Sequence, residues 1–181
     1  MAAQRHNKVT RWLPVYSRLR YPVLAWQRSL RRCEYRANTK GLWTLFRPLD
    51  SYLFRRRSIK LGFDIPLNVF GPGLSIAHWG SVIANGNARV GANARVHPGT
   101  VLGEKDGFAP TIGNDVYLGP GVKVLGGITL GHNVTCGANA VIVKSFGNDL
   151  TLVGVPARQI STTEPSVPRP DPESAPAGES G

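Results

Sequence analysis

From Val90 onward an aliphatic or similar residue returns at every sixth position: Val90, Val96, Leu102, then Ile112, Leu118, Val124, Leu130, Cys136 and Ile142. Four residues after most of them comes a small or β-branched residue, Ala94, Thr100, Val116, Val122, Ile128, Val134 or Ala140. A period of six suits neither an amphipathic helix nor an alternating strand. It suits a solenoid in which each hexad is one short strand and a turn, the inward residues stacking one coil apart. Glycine follows most of the aliphatic positions (Gly91, Gly103, Gly113, Gly119, Gly131, Gly137), where it is expected to allow corner angles that a Cβ opposes. A weaker register, Phe70, Ile76 and Val82, precedes this and slips phase near Ile83. Between Leu102 and Ile112 the interval is ten, so four residues within "GEKDGFAP" must leave the stack as a loop, functional or neutral.

The ends follow other patterns. Residues 1–60 place Trp12, Trp26 and Trp43 among apolar residues at helix-like intervals (Leu13, Tyr16, Leu19; Leu42, Leu45, Leu49, Leu53), and Pro14, Pro22 and Pro48 are expected to split them into short helices. Residues 161–181 carry no packable apolar group and read as a disordered tail. The expected organisation is a basic helical region over 1–60, a solenoid over 61–160 and a tail over 161–181.

Composition supports this division. Gly and Pro supply 35 of 181 residues, which favours turn-rich β structure over a helical bundle. The net charge of +11 is uneven: residues 1–60 hold 15 Lys/Arg against Glu34 and Asp50, whereas residues 61–181 hold seven against nine acids. Cys33 and Cys136 are too few for a disulfide framework or a four-Cys zinc site. No apolar run approaches the roughly 18 residues that span a bilayer, and no signal-like core opens the chain, so a cytoplasmic location is expected.

The run "VGANARVHPGTVLG…APTIGNDVYLGPGVKVLGGITLGHNVTCGANAVIVKSF…LVGVPARQI" resembles the hexapeptide-repeat acyltransferases. It is nearest to the serine acetyltransferase branch, particularly the short members of polysaccharide-synthesis pathways. The resemblance covers about residues 60–160. It implies a mainly β fold, a left-handed parallel β-helix with three hexads per coil, assembled as a homotrimer with acetyl-CoA in the groove between subunits.

Acetyl transfer to a hydroxyl needs a base for the hydroxyl proton, and imidazole suits that role near neutral pH. His78, in "GPGLSIAHWGSVIAN", lies in a stretch similar to the one that carries the family's base. Asp64, 14 residues earlier, matches its orienting acid after one deletion; the competing readings are a polar corner residue and a solvated turn. His97, about one coil after His78, could assist substrate positioning or be an exposed corner residue. His132 reads as a solvated turn, His6 as part of a frayed terminus, and Cys136 as a buried small hydrophobe. No metal is expected, since the histidines lack the spacing of a zinc site. The resemblance places pantetheine at the corners Gly119-Pro120 and Gly137-Ala138, and the nucleotide end near Lys144 and Arg158.

Two departures bear on the acceptor. The acid that precedes the family's base is Ala77 here, and Ala109 replaces a His of the extruded loop. Both losses remove contacts expected for free serine, which points to a sugar or polysaccharide precursor as acceptor. Serine O-acetylation for cysteine synthesis and a non-catalytic trimeric scaffold stand as alternatives. The basic, aromatic N-terminal region could lie on an anionic membrane surface or pack on its own trimer, and no nucleic-acid motif accompanies it.

Overall fold

The computed structural model describes residues 21–40 and 45–160. Expectations for His6, Trp12, Pro14, Trp43 and the tail over 161–181 lie outside the described residues. Two helices come first, α1 (Pro22–Asn38) and α2 (Arg47–Leu61). Pro22 and Pro48 sit in their first turns and open the helices, because an N-terminal N–H has no intrahelical acceptor to lose. Gly62 ends α2 at φ 76°, its N–H donating to Ile59 O.

The remainder is a β-solenoid of about five turns. Its first face stacks β1 (Phe63–Asp64), β3 (Val82–Ala84), β6 (Val101–Gly103), β9 (Lys123–Leu125) and β12 (Val141–Ile142). The second stacks β4 (Arg89–Val90), β7 (Thr111–Ile112) and β10 (Thr129–Leu130), extended by bridges at Phe70 and Phe146. The third stacks β2 (Ser75–Ile76), β5 (Arg95–Val96), β8 (Tyr117–Leu118), β11 (Thr135–Cys136), β13 (Thr151–Gly154) and β14 (Ala157–Ile160). All pairs are parallel except the closing hairpin of β13 with β14.

The hexad arithmetic holds in the register. Lys123 pairs with Val141, and Tyr117 with Thr135, 18 residues apart. Val101 pairs with Lys123, and Arg95 with Tyr117, 22 apart, so the coil holding "GEKDGFAP" has four surplus residues. They form a small hairpin: Lys105 and Phe108 exchange both backbone bonds at 3.0 Å around Asp106-Gly107, the pair that a tight two-residue turn prefers. The phase slip falls in β3, where Val82 and Ala84 are both buried and Ile83 points out.

Every inward position from Val90 to Ile142 named above is buried, and so are the seven small or β-branched residues named with them. One expectation needs correction. The glycines after the aliphatic positions are not the corner residues with unusual angles; a Cβ on Gly91 or Gly119 would stand 2.7 Å from the Gly113 or Cys136 carbonyl oxygen of the next coil. Close approach of stacked backbones excludes a side chain there. Several left-handed corner positions are held by Asn93, Asp115, Asn133 and Asn139, whose short polar side chains tolerate that conformation.

α1 covers the first coil. Trp26 is fully buried, with its ring 4.8 Å from that of Phe63 and its Nε1–H donating to Ser58 Oγ at 2.7 Å. Buried Glu34 accepts from Asn68 N and pairs with Arg31, whose guanidinium also donates to the carbonyls of Phe70 and Gly71. A solenoid needs such a cover, since an end coil otherwise leaves a core cross-section open to water.

Candidate active site

The chain turns from the third face to the first at residues 77–81, 97–100, 119–122 and 137–140, and these corners stack into one edge. Ala77 N donates to Val96 O, His97 N to Leu118 O, Gly119 N to Cys136 O and Gly137 N to Leu152 O. Gly121 N donates to Pro98 O and Asn139 N to Pro120 O, which locks the corners above one another. His78, His97, Gly119, Pro120, Gly137 and Ala138 therefore lie along one edge on successive coils. At about 4.8 Å per coil, the Gly119 corner is roughly 10 Å along the edge from that of His78.

His78 and its neighbour Trp79 are exposed. Their corner is anchored by Gly80 N, which donates to Leu61 O at 3.0 Å. The His97 ring lies 6.4 Å from that of His78 and 5.0 Å from that of Tyr117, giving three rings on three coils. His97 Nε2 is buried without a hydrogen-bond partner among the described residues. Burial, then the charge of Arg95 and then His78, hold this imidazole below the usual histidine range. It is a neutral ring with an unused polar nitrogen beside the exposed His78.

Asp64 lies elsewhere. It pairs in register with Ile83 on the first face and is exposed, and within one chain it makes no hydrogen bond or ion pair to His78 among the described residues. It lines a groove of about 620 Å³ with Phe54, Arg55, Ile59, Ser81 and Ile83. Lys144 lies past β12 at the turn from the first face to the second, with its Nζ 5.3 Å from the Phe146 ring centroid. Arg158 is exposed on β14, opposite Val153. Within one chain Lys144 does not join the Gly119–Gly137 edge, whereas Val153 stacks on Gly137 and so brings its partner Arg158 to the end of it.

His132 is a turn residue as expected, its Nδ1 accepting from Asn114 N at 3.0 Å. Cys136 is fully buried, and burial pushes its thiol up to about 12, so it is no nucleophile. No group of three His, Cys, Asp or Glu among the described residues could hold a metal ion. Three residues escaped the sequence reading: Tyr117, Trp79 and Lys123, whose ammonium donates to Gly99 O at 2.6 Å and Gly121 O at 2.9 Å on the same edge. Counting 22 rather than 18 residues across the extruded loop would have placed Tyr117 over Arg95, beside His97.

The fold and this edge define a class. A family profile described as "Bacterial transferase hexapeptide (six repeats)" matches residues 109–144. The chain is a β-solenoid built on hexapeptide repeats, and it is similar to that transferase profile over those residues. Within that class it resembles the serine acetyltransferases. That of Mycobacterium tuberculosis is 37% identical over 113 residues, 60% of this chain and 49% of the relative. That of Helicobacter pylori strain J99 is 37% identical over 95 residues, 50% and 56% of the two chains. Among solved structures, a serine acetyltransferase in complex with CoA superimposes with a TM-score of 0.64 at 25% identity, covering 77% of this chain and 57% of that one. The Neisseria gonorrhoeae enzyme in complex with serine gives 0.58 at 29% identity, covering 76% and 55%. The chain thus spans about half the length of the curated relatives it matches.

Proposed function

We propose that this protein is an acetyl-CoA-dependent O-acetyltransferase in which His78 is the general base. The observation that carries this reading is the single edge holding the exposed His78 beside His97, with the Gly119-Pro120 and Gly137-Ala138 corners further along it. His78 takes the acceptor's hydroxyl proton as the oxygen attacks the thioester carbonyl. The C–S bond then breaks, and the imidazolium returns the proton to the departing CoA thiolate. No covalent enzyme intermediate forms. His97, with its ring 6.4 Å from that of His78, helps to position the acceptor. The glycine corners take the pantetheine arm by backbone groups, and Lys144 and Arg158 serve the phosphates. Because Lys144 lies off that edge in one chain, and Asp64 makes no hydrogen bond or ion pair to His78 there, this reading places the site between subunits of a homotrimer.

Serine is the acceptor that the relatives support better, since those compared are serine acetyltransferases and one is solved with serine. A sugar hydroxyl is a second reading favoured by one feature, the surroundings of His78: Ala77 replaces the acid of the resemblance, and Trp79 offers an exposed indole that suits a sugar ring. A thiol-release assay with acetyl-CoA and a panel of serine, simple sugars and sugar nucleotides decides between them. Turnover with serine alone excludes the sugar reading. His78→Ala is expected to lower turnover by about 10²–10⁴-fold with CoA affinity kept, and an unchanged rate removes His78 from its role. Silence with every acceptor, together with no CoA binding by calorimetry, leaves the scaffold alternative.

A further inference from the structure

Among the described residues, nothing covers the outward side of α2, and that side carries no carboxylate. Leu49, Tyr52 and Ile59 are 56%, 61% and 73% exposed. With Arg56 they follow i, i+3, i+7, i+10 spacing, which lines them along one side of the helix. Exposed Arg55 and Lys60 flank that ridge. The inward side is accounted for separately: Asp50 and Ser58 are buried, and Phe54 lies 5.7 Å from the Trp26 ring. Arg57 also turns inward, donating to Ser29 Oγ.

The acids of residues 21–62 are Glu34 and Asp50 alone. Glu34 is buried against Arg31 and Asn68 N, and Asp50 against Arg36 and Arg32. Among the described residues, the helical cap therefore shows the solvent basic and apolar groups and no exposed acid. A second copy docked face to face is a poor occupant, since two such faces would bring Arg55, Arg56 and Lys60 of each against like charge. A polyanion without an apolar phase leaves the Leu49–Tyr52–Ile59 ridge in water. We propose that α2 docks on an anionic lipid surface, its apolar ridge sinking to the headgroup boundary and its basic flanks facing lipid phosphates.

The test is co-sedimentation of the full chain with vesicles of phosphatidylcholine, with and without phosphatidylglycerol. Binding is expected only with phosphatidylglycerol. It should weaken between 0.1 and 1 M salt, as the screening length falls from about 10 to about 3 Å. Arg56→Gln with Lys60→Gln should cut partitioning on the order of 25-fold, at about fivefold per charge. Leu49→Ser with Ile59→Ser should cut it by about tenfold or more. Thermal melts check that both variants fold. Absence of wild-type binding overturns the proposal, as does partitioning of folded variants equal to wild type. Variants that change the oligomeric state in sedimentation velocity, with vesicle binding kept, also overturn it and give the face to a second copy.

Discussion

The imidazole of His97 is held neutral by partial burial under Tyr117 and by the nearby Arg95 and His78. The unfolded chain takes a proton on this residue near its ordinary 6.5, while the folded chain resists until a lower pH. Between those two values the unfolded state binds more protons, so stability falls as the pH drops below 6.5. Melting temperatures between about pH 7.5 and 5 should show that decline, and His97→Gln should flatten it; an unchanged slope assigns the effect to other groups. The two thiols give a second expectation. Burial raises both Cys33 and Cys136, the second to about 12. A thiol reagent at mild alkaline pH should leave Cys136 unlabelled in folded protein and label it in urea; rapid native labelling would contradict the inward position. That position was legible in the sequence because Cys136 keeps the six-residue beat. The ring contact of His97 with Tyr117 was not, because it depends on the coil lengthened by the loop.

At the scale of elements, the repeat glycines are demanded by the distance between coils, and the structure separates that demand from any need for unusual angles. Gly91→Ala pushes a Cβ to 2.7 Å from Gly113 O, a backbone atom with nowhere to go. Gly86→Ala meets only the Pro66 side chain at 3.9 Å. The first should cost about 1–3 kcal/mol and the second close to nothing, as read from paired urea unfolding curves; equal costs would show that the coils can yield. The strands themselves were readable from Val90 to Ile142, since burial of the same two residues in nearly every six leaves a plain mark. The hairpin at Asp106-Gly107 was expected only as four surplus residues. The helices were expected as pieces divided by prolines, but Pro22 and Pro48 begin them. The apolar interval Leu45, Leu49 and Leu53 gave no sign that Leu45 and Leu49 face outward. Helical spacing shows that residues share a side, and packing decides which side is covered.

For the molecule as a whole, the helical cap and the solenoid share one core through Trp26, Leu30 and Phe63. Trp26→Ala should remove about 3–5 kcal/mol, measured as a lower urea midpoint. A much smaller loss would mean that the cap and the coils unfold independently. The candidate site was legible in the sequence as types of residue and less so as an assembly. His78 and the Gly119 and Gly137 corners follow from coil counting, Arg158 reaches the Gly137 end only through the closing hairpin, and Asp64 and Lys144 cannot be gathered by counting along a single chain. A stack of identical rungs also acts as a ruler. Removing the 22-residue rung between His97 and Gly119, or inserting a plain 18-residue one there, would keep every strand in step and yet move the imidazoles against the glycine corners by about 4.8 Å. Reach along that edge can change only in such increments, so a longer or shorter donor would be accommodated by whole rungs, with the side chains left as they are.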